Sequence, residues 1–171
     1  MPPRPAESEV FDPRLIPIDP DFAPEPALAA SQLTAQALQR RFARQTRAPA
    51  PLQLPPLVPG AVSGSRTPAA VLMPLVTRPQ GLTVLLTHRA THLSSHAGQI
   101  AFPGGKVDAG DADATDAALR EAEEEVGLPR QHARVLGVLA THVMGMRYAV
   151  TPVAALVQPG FALRPNPYEV T

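Results

Sequence analysis

The segment Leu119-Arg-Glu-Ala-Glu-Glu-Glu-Val-Gly127 sets four carboxylates within five consecutive positions. Good helix formers, with Gly127 and Pro129 as stop signals, make it the end of a helix. That is an unfavourable place for acids, because a helix C-terminus already carries partial negative charge and like charges four residues apart repel. On a wheel of about 100° per residue, Glu121, Glu124 and Glu125 fall within an arc of about 100°, and Glu123 points nearly opposite. Ala118, Ala122 and Val126 form an apolar stripe beside that arc, suited to packing on a sheet. Carboxylates converging at i, i+3 and i+4 on the edge of a buried face are hard oxygen donors of the kind Mg²⁺ or Mn²⁺ takes, and such an ion would relieve the repulsion. A solvated acidic face is the other reading of a glutamate run, and it is the one given to Glu123.

The elements around this helix are expected to complete the site. Phe102-Pro-Gly-Gly105 reads as a tight turn whose backbone can approach a metal or a phosphate closely. Arg120 stands four residues before Glu124, within pairing distance. Apolar, partly β-branched runs predict strands over 69–76 and 82–87, separated by the turn Arg78-Pro-Gln-Gly81, and a short strand over 98–102. A helix is expected over 111–126, then strands over 135–144 and 148–157. The order β-β-β-α-β-β describes a mixed sheet with a helix packed on it. Before residue 69, proline-rich runs read as extended coil, interrupted by an amphipathic helix over 26–43 in which Leu28, Leu33, Ala37, Leu38 and Phe42 recur at helical spacing. That helix could dock on the domain or on a partner.

Composition narrows the function. Fifteen basic and fifteen acidic residues balance in a chain of 171, so no overall field points to nucleic acid or an anionic membrane. With no cysteine, disulfides, thiolate metal sites and cysteine nucleophiles are excluded. The start MPPRPAESEV lacks the apolar core of a signal peptide, and no apolar run approaches the roughly 20 residues that cross a bilayer. The expectation is a soluble cytoplasmic protein, with neither nucleic acid nor membrane as partner.

Gly105-Lys-Val-Asp-Ala-Gly-Asp111 and Arg120-Glu-Ala-Glu-Glu-Glu-Val-Gly-Leu128 closely resemble the Nudix box, G-x5-E-x7-R-E-U-x-E-E-x-G-U, with U apolar. The second half matches at every specified position. In the first half Asp111 stands for glutamate, and eight residues instead of seven separate it from Arg120. Both departures are shared with the coenzyme A pyrophosphatase branch. The further signature of that branch, approximately L-L-T-x-R-[SA]-x3-R-x3-G-x3-F-P-G-G, is similar to Leu85-Leu-Thr-His-Arg89-Ala90 and Gly98-Gln-Ile-Ala-Phe102-Pro-Gly-Gly105, with Ser94 in place of the second arginine.

The resemblance implies an α/β/α sandwich around a mixed sheet, with a proline-rich extension over 1–66 and the Nudix domain over 67–171. It also implies that the usual last strand and helix are lacking, which would leave the core partly uncovered. The activity implied is hydrolysis of the pyrophosphate of coenzyme A or its thioesters, giving 3',5'-ADP and (acyl-)4'-phosphopantetheine, with Mg²⁺ or Mn²⁺. Another nucleotide, such as ADP-ribose or NADH, and a non-catalytic binding protein are the alternatives. Glu121, Glu124 and Glu125 are the implied metal ligands, joined by a carbonyl from Gly104 or Gly105. Glu121 is alternatively the base acting on water, Arg120 would orient Glu124, and Arg89 with Gly104 and Gly105 would meet the substrate. Asp111, His96 and Glu169 are further candidates, Asp111 also reading as the helix N-cap. His88, His92 and His96 would form a zinc-binding stripe on a helix, but their segment has the composition of a loop.

Overall fold

The computed structural model describes residues 26–45, 66–144 and 147–171. The proline-rich coil expected over most of the first 68 residues lies outside the described residues.

Twelve residues, Thr67–Arg78, form the central strand β1. Its side chains alternate: Ala70, Leu72, Pro74 and Val76 are buried, while Val71, Met73 and Leu75 on the other face are half-buried. Proline is rare inside a sheet because it cannot donate to the ladder. At Pro74 the carbonyl accepts the Leu85 N–H at 3.0 Å, and β2 (Gly81–Val84) ends one residue before Leu85, so the missing donor falls where the ladder stops. The antiparallel partners of β1 on that side are β2 and β5 (Gly104–Lys106), with Ala70 opposite Gly105 and Val71 opposite Gly104. On its other side β1 runs parallel to β8 (Tyr148–Val157), which also pairs antiparallel with β6 (Ala133–Val138) and β7 (His142–Met144). A separate two-stranded sheet joins β3 (Thr87–His88) to β4 (Ile100–Ala101).

Helix α2 (Ala114–Val126) covers one face. Its small residues Ala117, Ala118 and Ala122, with Val126, let it lie close against Ala70, Leu72, Val76, Val153, Ala155 and Val157. Burying one of the larger of these side chains contributes about 1.5–3 kcal/mol. The Asp113 carboxylate caps the helix by accepting the Thr115 and Asp116 N–H groups at 2.8 and 2.9 Å. At the other end Gly127 adopts φ 67°, and the Leu128 N–H reaches back to the Ala122 carbonyl at 3.2 Å. This is the left-handed termination that glycine accepts without steric cost.

The opposite face buries Ala154 and Leu156, and over it lies α1 (Ala35–Ala43). Phe42 packs on Gly137 of β6, where a Cβ would stand 2.9 Å from the ring, and the Gln45 amide donates to the Val138 carbonyl at 3.1 Å. The helix expected over 26–43 therefore docks on its own domain. It is shorter than expected: a 3₁₀ turn occupies Ala30–Gln32, and the Thr34 hydroxyl starts α1 by accepting the Ala37 N–H at 3.2 Å. The result is an α/β/α arrangement, with the N-terminal helix forming the second layer among the described residues. Residues 158–171 contain no helix and instead run back past the end of α2 to β3.

Several elements depart from expectation. The strand expected over 82–87 ends at Val84, with Thr87 already in β3, and the helix expected over 111–126 starts at Ala114. Gly104 and Gly105 form a strand, not a turn, because pairing with β1 outweighs the turn preference of glycine. The strand expected over 98–102 shrinks to β4, and the one expected over 135–144 divides into β6 and β7.

Candidate active site

The two glycines of β5 set the depth of the site. A Cβ on Gly104 would stand 2.6 Å from Val71 Cα and closer still to the Ala70 carbonyl oxygen, so only glycine permits this approach to β1. A Cβ on Gly105 would stand 2.5 Å from Glu121 Cδ. The Glu121 carboxylate is thus seated flush against the strand backbone. One turn along the helix, Glu125 is buried, at 4% exposure, and its Oε2 accepts the Gly104 N–H at 3.2 Å. Burial pushes the Glu125 carboxyl up to about 7; the Gly104 N–H pulls the other way, and the negative charges of Glu169 and Glu121 add to the rise. Glu121 is also raised, first by burial, with the Arg120 hydrogen bond opposing. Glu124 is exposed, and Glu123 points to solvent beside Arg130, 3.5 Å away.

Arg120 holds this acidic turn together. Its Nε and Nη2 donate to the two Asp111 oxygens, each at 2.9 Å, and Nη1 donates to Glu121 Oε1 and Glu124 Oε2, each at 3.0 Å. Nη2 also donates to the Lys106 carbonyl at 3.1 Å. Bidentate, charge-assisted pairing of this kind fixes orientation as well as charge. Asp111 therefore does not cap the helix; Asp113 does. The Arg120 hydrogen bond, with the Asp108 N–H second, holds the Asp111 carboxyl down at about 2. The repulsion at the end of α2 is met from two directions. Arg120 offsets the side-chain charge, and the backbone N–H groups of Arg164 and Asn166 satisfy the Val126 and Glu125 carbonyls at 2.9 and 2.8 Å.

Arg89 approaches from β3, with Nη1 3.8 Å from Glu125 Oε1 and a buried Nε that has no hydrogen-bond partner among the described residues. A buried guanidinium donor left unmatched is costly unless an anion completes it. Val170 pairs with Arg89 in a single antiparallel bridge, which brings Glu169 to the same edge, close enough to act on both Glu121 and Glu125. The other candidates are bonded to groups outside the acidic cluster. His96, at φ 57°, bonds the Gln99 side chain at 3.0 Å, and Ser94 is exposed. His88 and His92 bond the Gly98 and Tyr168 carbonyls from extended and loop backbone, so the three histidines share no face for zinc.

The groups around Gly105 are carboxylate and carbonyl oxygens, hard donors that fit Mg²⁺ or Mn²⁺ in type. Among the described residues, no three His, Asp or Glu side chains stand close enough to hold an ion in their present positions. Glu121 and Glu125 meet at β5, while Glu124 stays on Arg120. The sequence did not reveal Asn166, whose backbone ties the C-terminal segment to α2; the Pro165-Asn166-Pro167 turn was the available signal.

The NUDIX domain pattern matches residues 66–160, more than half of the chain. The chain belongs to the NUDIX family. It is 50% identical over 119 residues to a Photorhabdus laumondii protein named uncharacterized Nudix hydrolase NudL, covering 70% of this chain and 63% of that one. Over 104 residues it is 53% identical to the Escherichia coli K12 protein of the same name, covering 60% and 53%. The Nudix chain thus spans about half to three-fifths of the length of these relatives. Among solved structures it is similar to a Mycobacterium smegmatis Nudix hydrolase, RenU, with a TM-score of 0.51 and 31% identity over 59% of this chain and 65% of that one. No described helix of the Nudix chain is long and apolar enough to cross a membrane.

Proposed function

We propose that this Nudix chain carries the catalytic centre of a divalent-cation-dependent pyrophosphatase acting on coenzyme A or its thioesters. The observation that carries the reading is the pair of carboxylates, buried Glu125 and half-buried Glu121, set against the Gly104–Gly105 backbone with Arg89 alongside. Two acids partly withdrawn from water against neighbouring strand positions are a poor arrangement for stability and a good one for binding a cation. Glu121, Glu124 and Glu125, with a carbonyl from Gly104 or Gly105, would hold the ion; Glu124 would turn inward from its exposed position. When bound, Mg²⁺ or Mn²⁺ supplies charge neutralisation on the pyrophosphate and a lowered pKa for water.

The chain's own residues do the remainder. Arg89, with its unmatched Nε, grips a pyrophosphate oxygen, where arginine's fork geometry is well suited. Arg120, engaged on Asp111, Glu121 and Glu124, orients the carboxylates and does not reach for substrate. Glu121 or Glu169 accepts a proton from the attacking water. Water adds to one phosphorus, the bond from that phosphorus to the bridging oxygen breaks, and 3',5'-ADP and 4'-phosphopantetheine leave, each keeping one phosphate of the former pyrophosphate. The choice of coenzyme A rests on the Leu85–Gly105 signature, and a cytoplasmic site of action fits that substrate.

The test is release of 3',5'-ADP from coenzyme A by the purified chain, with ADP-ribose and NADH in parallel and with Mg²⁺, Mn²⁺ or chelator. Metal-dependent release that collapses in Glu125→Gln supports the reading. Cleavage of ADP-ribose or NADH in preference overturns the substrate, and no metal-dependent cleavage by folded chain leaves a nucleotide-binding protein.

A further inference from the structure

The C-terminal segment is irregular, yet from Arg164 to Thr171 every backbone N–H has an acceptor, and most of these bonds involve one residue. The Asn166 N–H donates to the Glu125 carbonyl at 2.8 Å, tying the segment to the residue whose carboxylate lies in the site. The Asn166 carbonyl accepts the N–H groups of Glu169 and Val170 at 3.0 and 2.9 Å, and its Oδ1 accepts the Tyr168 N–H at 3.1 Å. Three successive N–H groups therefore end on Asn166. Its neighbours Pro165 and Pro167 have fixed φ and no N–H of their own, which stiffens the turn. Beyond the turn, the Glu169 carbonyl accepts the Ala90 N–H and the His88 carbonyl accepts the Thr171 N–H, each at 2.9 Å, while the Val170 side chain is buried in the core. Glu169 is pinned on both sides, next to the strand position of Arg89.

We infer that Asn166 is a positioning residue: it folds the Pro165–Pro167 turn onto the last turn of α2 and thereby fixes the Glu169 carboxylate beside Glu121 and Glu125. The inference rests on the pyrophosphatase reading for the significance of that carboxylate. Among the bonds given above for Asn166, only the one accepted by Oδ1 uses the side chain. Asn166→Ala therefore keeps the backbone ties to Glu125, Glu169 and Val170 and frees the turn at Tyr168. Asn166→Asp keeps the acceptor.

The experiment compares the full chain with Asn166→Ala, Asn166→Ser, Asn166→Asp, Glu169→Gln and the Asn166→Ala/Glu169→Gln double variant. Three readouts are taken: thermal melting, kcat and KM for coenzyme A hydrolysis, and Mn²⁺ affinity without substrate by the electron paramagnetic resonance signal of the free ion. Displacing a catalytic group by about 1 Å costs about a hundredfold, so Asn166→Ala is expected to lower kcat by about 10–100-fold. KM should stay within about threefold, as for an interaction made in the transition state. Mn²⁺ affinity should fall as far as in Glu169→Gln, the double variant should be no worse than Glu169→Gln alone, and Asn166→Asp should restore most of the loss. If Asn166→Ala does not fold, Asn166→Ser against Asn166→Asp makes the same comparison.

Wild-type kcat and Mn²⁺ affinity in Asn166→Ala, or losses that add in the double variant, would overturn the inference. A wild-type chain that binds Mn²⁺ but leaves coenzyme A intact defeats the substrate reading alone, and the Mn²⁺ titration still decides the role of Asn166. A folded wild-type chain that binds no Mn²⁺ defeats both.

Discussion

Gly105→Ala isolates the seat of Glu121 from the stability of the fold. The added Cβ would stand 2.5 Å from Glu121 Cδ and 2.6 Å from Oε2, and no strand backbone is among its nearest neighbours. The carboxylate would have to retreat by about 1 Å to reach ordinary contact, while Arg120 still holds Oε1 at 3.0 Å. The end of a glutamate side chain can yield, so the fold should tolerate the change with a loss of less than about 1.5 kcal/mol. The reacting geometry should not tolerate it: a displacement of about 1 Å corresponds to about a hundredfold in kcat, or about 2.7 kcal/mol of barrier. The assay is steady-state release of 3',5'-ADP beside a thermal melt of the same preparation. Gly104→Ala is the contrast, since its Cβ would enter the β1 backbone and should cost the folded protein itself. A Gly105→Ala chain that keeps kcat within about threefold would refute the claim that the flush seat of Glu121 matters.

Asp111→Asn should weaken the hold on Arg120 and reduce kcat with little change in KM, read from the same kinetics. It should also change the acid limb of stability. The Asp111 carboxyl lies at about 2 in the folded chain against 3.8 ordinarily, so its stabilisation is present above pH 3.8 and is lost as pH falls through about 2. Acid titration of the wild type should show that loss, and a variant with the same acid limb would refute it. Glu125→Gln keeps an acceptor for the Gly104 N–H and removes a desolvated charge. In chelator at pH 8 it should be more stable than wild type by about 1–3 kcal/mol, with Mn²⁺ reversing the order in a calorimetric scan. Phe42→Ala should free α1 from Gly137, lower stability by about 1–2 kcal/mol, and speed protease cleavage within residues 26–45.

Much of this architecture is written locally. The runs that become β1 and β8 are apolar enough to be read as strands, and Ala118, Ala122 and Val126 mark the face of α2 that meets the sheet. What escaped reading depends on partners distant in sequence. Gly104 and Gly105 look like a turn because glycine favours turns; only the bare β1 backbone opposite makes them a strand. Asp111 reads as the helix cap on paper, but Arg120 claims its carboxylate and the cap falls to Asp113. The amphipathic stripe of α1 was visible, but its docking partner was not. Glu169 stood as a candidate, but the support that holds it was hidden, because a proline-rich segment bonded through its main chain has no periodicity to detect.

The parallel pairing of β1 with β8 joins Thr67 to Tyr148 and Val76 to Val157. Every pair in this central ladder closes a loop of about eighty residues, at an entropic cost of about 4 kcal/mol or more before any contact repays it. Within that loop lie β5, α2 and Arg89, the parts that define the candidate site. The local β1–β2 hairpin can form early, but the surface on which α2 rests is incomplete until β8 arrives. Assembly of the site and closure of the domain are therefore a single kinetic event, limited by a non-local pairing of the slow-forming kind. Partly folded chains would have no competent centre, and under denaturing stress activity would disappear in step with the slowest-exchanging amides of β1 and β8.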